Sequence, residues 1–67
     1  MSSQYYRAEV HVRAADGGFL TVYNDGPGPV GLSASQVRTQ AEAVARAEVP
    51  GGTVVGSRVS TDGKVIG

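Results

Sequence analysis

YYRAEVHVRAADGGFLTVY, residues Tyr5 to Tyr23, alternates between two kinds of side chain. Tyr6, Ala8, Val10, Val12 and Ala14 form one set, and Tyr5, Arg7, Glu9, His11 and Arg13 form the other. Successive side chains of a strand leave opposite faces, so this pattern predicts a strand from Tyr5 to Ala14 with one face buried and one in water. Phe19 to Tyr23 is a second β-rich run, and Asp16-Gly17-Gly18 carries the turn chemistry between the two. A two-residue Asp16-Gly17 loop would set Leu20 and Val22 against Arg13 and His11. A three-residue loop with a left-handed glycine sets Ala14 against Leu20 and Val12 against Val22, and it is preferred because it keeps one face apolar.

Next in the chain stands NDGPGPVGLS, Asn24 to Ser33, whose Gly26, Gly28 and Gly31 spell G-x-G-x-x-G. A dinucleotide fingerprint needs backbone N–H groups for the pyrophosphate, and Pro27 and Pro29 remove two of them. Gly31 precedes the helix start, and no acidic residue stands about 20 positions on to hold a ribose. No Lys-Ser or Lys-Thr follows, so this is no Walker loop either. The segment reads as a structural loop: Asn24-Asp25-Gly26 as a turn, stiffened by the prolines, with Val30 and Leu32 directed under a helix.

Ser33 through Val37 encode a helix start, with Ser33 as N-cap, Gln36 closing a capping box, and Leu32 and Val37 as a hydrophobic staple. Val37, Ala41, Val44 and Ala45 make the apolar stripe, while Arg38, Glu42 and Arg46, four apart, are placed to pair in solvent. Pro50 and Gly51-Gly52 end the helix near Glu48. The remainder predicts a strand from Thr53 to about Ser60, a type I′ turn at Asp62-Gly63 pairing Val59 with Ile66, and a short closing strand. Strands and helix are segregated, so the expected fold is α+β: a small antiparallel sheet of two hairpins, with one helix packed on one face.

Sixty-seven residues make a single small domain, residues 1–67. A domain of this size buries only roughly 60% of its unfolded surface, so its stability margin is thin. No cysteine and a single histidine leave neither disulfides nor a zinc cluster as support, and self-association is expected, with a homodimer foremost. Six basic residues balance six acidic ones, which gives no long-range field to gather nucleic acid or an anionic membrane. The MSSQYYRAEV start lacks the features of a signal peptide, and no apolar run reaches the roughly 20 residues of a membrane span. A cytoplasmic protein is expected. Five arginines to one lysine, with abundant Ala, Gly and Val, suggest a high-GC source, an actinobacterium or its phage.

No nucleophile–base pair, cofactor motif or metal-ligand spacing can be assembled from these residues, so no enzyme is expected and no cofactor is assigned. Chemistry concentrates instead on the polar face of the first hairpin: Tyr5, Arg7, His11 and Arg13, with Glu9 among them, joined by Thr21 and Tyr23. Tyrosine, arginine and histidine are enriched where proteins meet. They are also what a sheet uses to stack single-stranded bases. The balanced charge favours a protein partner over nucleic acid, with solvated surface as the third reading. The first strand, if an edge, would also offer its backbone to another chain.

AEVHVRAADGGFLTVYNDGPGPVGLSASQVRTQAEAVARAEV resembles the N-terminal domain of HicB-like antitoxins. The shared outline is a strand at Val10-Val12, an Asp16-Gly17-Gly18-Phe19 turn into a second strand, glycines at Gly26 and Gly28, and a polar N-cap at Ser33 leading into an alanine-rich helix. GPGPVG and SASQ stand where that family carries a proline-aspartate-x-proline-glycine loop and an acidic helix start. The resemblance implies a non-enzymatic cytoplasmic protein that dimerises through its sheet and neutralises a small ribonuclease toxin by covering it.

Overall fold

The computed structural model describes residues 3–67. In chain order it contains β1 (Ser3–Arg13), β2 (Phe19–Pro29), α1 (Ala34–Glu48), β3 (Thr53–Thr61) and β4 (Lys64–Val65). The four strands form one antiparallel sheet in the order β2-β1-β3-β4, so both hairpins share it. The helix covers one face. This is the expected α+β architecture, with the last strand joined to the main sheet.

The alternation in β1 sets the core. Tyr6, Ala8, Val10 and Val12 are buried on the helix side with Val22, Val59 and the helix residues Val37, Ala41 and Ala45. Val44, the fourth member of the expected stripe, is only partly covered. Apart from Tyr6, the core is built from valine and alanine, while Phe19 (73% exposed), Leu20 (39%) and Ile66 lie outside it. Small helix residues let α1 sit close to the sheet but bury little apolar area.

The first hairpin differs from expectation in register. Val12 faces Leu20 and Val10 faces Val22, two residues away from the expected pairing. The Ala14 amide donates to the Gly18 carbonyl (2.7 Å) and Gly17 donates to Ala14 (2.9 Å), with Gly17 at φ +93°. The loop is therefore the three-residue kind with a left-handed glycine, but it spans Ala15 to Gly17. Asp16 fixes that position because its carboxylate accepts the Gly18 amide at 2.9 Å. A shift of two keeps every side chain on its expected face.

The larger correction concerns the glycine segment. It is not a loop: β2 runs through Asn24, Gly26 and Gly28 to Pro29, paired with β1 as far as Ser3. Gly26 faces Tyr6 across the ladder, and a Cβ on Gly28 would lie 3.3 Å from the Tyr6 ring. Gly28 leaves room for this aromatic side chain laid over the strand. The Tyr6 hydroxyl donates to the Pro29 carbonyl (2.6 Å), accepts the Leu32 amide (3.1 Å) and lies 3.1 Å from Gln4 Oε1, which also accepts the Gly31 amide. This network holds the turn before the helix. Val30 points away from the helix and is 60% exposed, contrary to expectation, and only Leu32 packs against the core.

At the helix start both reciprocal bonds of the capping box are present: Gln36 N–H to Ser33 Oγ (3.1 Å) and Ser33 N–H to Gln36 Oε1 (2.8 Å). Ser33→Ala is expected to cost about 1 kcal/mol. For a domain of this size that lowers the melting temperature by roughly 5 °C, measurable by circular dichroism. Arg46 pairs with Glu42 at 3.4 Å. Arg38 does not join them, because its Nε donates to Ser57 Oγ on β3 (2.9 Å), tying the helix to the sheet. At the other end, Asp62 (φ +48°) and Gly63 (φ +82°) form the left-handed pair of a type I′ turn, and the Ile66 amide donates to Val59 as expected.

Candidate interaction surface

The sheet face opposite α1 carries all five residues selected from the sequence. Tyr5, Arg7, His11 and Arg13 leave β1 on this side, and Tyr23 leaves β2 beside Glu9. Tyr5 is 48% exposed and Tyr23 64%. One expectation about this strand fails: β1 is no edge, since β2 and β3 pair with it on both sides and use its backbone groups.

Cross-strand rows organise the surface. Tyr23, Glu9 and Arg58 form one row; Asp25, Arg7 and Ser60 form the next; Thr21, His11 and Gly56 form a third; Phe19, Arg13 and Thr53 form the last. Arg7 Nε lies 3.4 Å from Asp25 Oδ2, and the Arg13 guanidinium sits 5.9 Å from the Phe19 ring centroid. His11 Nδ1 is 3.3 Å from the Thr21 hydroxyl. Beside the second row, Tyr5, Arg7, Ser60, Asp62 and Gly63 border a recess of about 180 Å³. Its floor is fixed by bonds from the Asp62 amide (3.2 Å) and the Thr61 hydroxyl (2.9 Å) to the Tyr5 carbonyl.

Phe19, Asp25, Val55 and Arg58 belong to this surface and were missed. Asp25 went to a presumed turn, although Tyr23, Asp25 and Pro27 continue the alternation of Phe19 and Thr21. Val55 is the extra residue of a bulge, where the β1–β3 register shifts between His11 and Val12. That bulge breaks the period of two in TVVGSRVS, so Arg58 could not be assigned to a face by counting from Thr53.

The face is mixed in charge. Arg7, Arg13 and Arg58 are interleaved with aromatics, but Glu9 and Asp25 sit between them. On the other side of the sheet, the absence of side chains at Gly26 and Gly28 leaves a groove of about 310 Å³ between β2 and α1, bordered by Asn24, Leu32, Val37 and Gln40. Among the described residues no cluster of three or more His, Asp or Glu is placed to hold a metal ion, and no helix is long and apolar enough to cross a membrane. No family model, curated protein or solved structure matches the chain.

Proposed function

We propose that this chain is a small protein-interaction module that binds a partner protein on its open sheet face and acts by covering it, without turnover. The observation that carries this reading is the row arrangement: Tyr5, Tyr23 and Phe19 stand exposed on a rigid sheet, each beside an arginine or a carboxylate. Aromatic anchors with few rotatable bonds, ringed by polar groups, are what protein interfaces use as hot spots. An antitoxin-like or phage accessory role fits such an occluding surface, and the strand–turn–strand outline leading to a capped helix is what supports it.

A second reading, binding of single-stranded nucleic acid on the same face, draws on the three arginines interleaved with aromatic rings. Glu9 and Asp25 weigh against it, because both carboxylates would face the phosphates. Salt separates the two. A protein contact built on tyrosines changes little in affinity between about 50 and 200 mM salt, whereas several phosphate contacts would lose orders of magnitude.

The double substitution Tyr5→Ala with Tyr23→Ala is expected to abolish retention of a partner protein from extract of the source cell and to leave the circular dichroism spectrum unchanged. Both side chains project from the sheet into water, so their removal opens no cavity. Partner retention that survives the double substitution sinks the assignment of this face. Recovery of RNA that elutes steeply with salt would move the function to the second reading.

A further inference from the structure

The sheet has two edges, and they are protected unequally. On the β3 side the edge is blunted by the Val55 bulge, by the two-residue β4 and by its turn. On the β2 side the backbone can be read from the hairpin bonds. The Ala14 amide donates to the Gly18 carbonyl, so the even-numbered residues of both strands are the ones that bond across the β1–β2 ladder. The odd residues of β2, namely Phe19, Thr21, Tyr23, Asp25 and Pro27, then turn their backbone groups toward the free edge. Pro27 has no N–H to offer, and Pro29 beyond it has its carbonyl taken by Tyr6. Phe19 to Tyr23 has no such guard: it is a straight stretch of edge without proline, lysine or bulge. Leu20, on its helix-facing side, is 39% exposed because α1 lies mainly over β1 and β3.

We infer that this edge pairs with a second copy of itself, β2 against β2 in antiparallel register about Thr21, to give an eight-stranded sheet with both helices on one face. The occupant follows from self-complementarity. With Thr21 opposite its own symmetry mate, Phe19 meets Tyr23 of the second copy twice, on the open face, as an aromatic cross-strand pair. Leu20 meets Val22 of the second copy on the helix side, which covers the apolar residue that the monomer leaves in water. In this register Asp25 reaches Gly17 of the second copy and Pro27 reaches Ala15, both in the hairpin turn. The prolines therefore fall where the paired stretch has already ended, and their missing N–H groups cost nothing. A foreign peptide could use the same backbone groups, but it would have no reason to match both Phe19 and Tyr23 on one face and Leu20 on the other.

This pairing takes up Phe19 and Tyr23 at the rim of the open face but leaves Tyr5 and Arg7 free, so it goes beyond the proposed function. Light scattering over a concentration series is expected to show the mass rising from 6.9 kDa to twice that value. Thr21→Pro removes the outward N–H at the symmetry axis and is expected to weaken dimerisation at least roughly tenfold. Because a proline could also disturb the strand, a second test uses the absence of cysteine in the chain. Thr21→Cys places two thiols opposite each other at the axis, within the Cα range a disulfide accepts. It is expected to oxidise to a covalent dimer under conditions where Thr53→Cys, on β3 at the far side of β1, stays monomeric. A wild-type mass of 6.9 kDa throughout the series, or equal cross-linking of the two cysteine variants, overturns the inference. A monomer that still retains a partner through Tyr5 and Tyr23 would remove the edge pairing and leave the face reading intact; a dimer that retains none would do the reverse.

Discussion

Val10→Ala is expected to cost the fold about 2 to 3 kcal/mol, the lost transfer free energy of two methylene equivalents plus the cavity left behind. Val10 and Val59 are the largest side chains with almost no exposure. Val10 sits on the central strand, with Val22 opposite it on β2 and Ser57 opposite it on β3. Its strand is held by a ladder on each side, and the buried residues of α1, Val37, Ala41 and Ala45, are small with little torsional freedom to turn into a gap, so little relaxation is available. A domain of this length holds roughly 3 to 10 kcal/mol in total, so the substitution removes a large share of it. Urea titration followed by circular dichroism measures the loss, with Val30→Ala as the control at an exposed position, expected within about 0.5 kcal/mol of the parent. A cost for Val10→Ala no larger than the control's would mean that the valine core is not packed as described.

Tyr6→Phe is the second large effect, about 2 kcal/mol, and it isolates one oxygen atom. The ring stays over the glycine strand, but the Pro29 carbonyl and the Leu32 amide lose a shared partner at 2.6 and 3.1 Å in a partly buried place. Leaving polar groups unpaired costs more than the bond itself contributes. The effect should be local as well as global. Hydrogen exchange at Leu32 and Gly31 is expected to speed up by more than the overall loss of stability accounts for, since these residues hold the approach to Ser33. Uniform acceleration across the sheet, with no excess at Leu32, would mean that the hydroxyl does not hold this turn.

How much of this was legible beforehand depended on whether a pattern had competition. β1 could be assigned to a strand and to two faces because its alternation is uninterrupted from Tyr5 to Arg13. The helix start was readable because Ser33 and Gln36 act over three residues, without help from the rest of the fold. Asp62-Gly63 was equally local. The glycine segment failed for the opposite reason. Asn, Asp, Gly and Pro are turn formers on their own, and what makes Asn24–Pro29 a strand is its pairing with Ser3–Ala8, far back in the sequence, and the Tyr6 ring lying against Gly28. Prolines argue against a central strand, yet an edge strand takes them when their nitrogens face away from the partner. Nothing local said that β2 was an edge. The same long-range ordering decided the site: with β1 central, Arg58 from β3 and Asp25 from the extended β2 come to flank residues already chosen, and the edge available for pairing moved to Phe19–Tyr23.

The central position of β1 also bears on how the chain is made. β1 leaves the ribosome well before its second neighbour, β3, and the Thr61 hydroxyl that bonds Tyr5 is added 56 positions later. Until then the β1–β2 hairpin holds its valine face uncovered, with α1 alone to shield it. Contacts of such long sequence separation slow folding, because the loop must close before they form. The nascent chain therefore passes through an interval in which Val10, Val12 and Val22 are open to other chains. During that interval Pro27 and Pro29 guard one half of the growing sheet's outer margin against mispairing, which gives the glycine–proline segment a task during synthesis as well as in the finished fold.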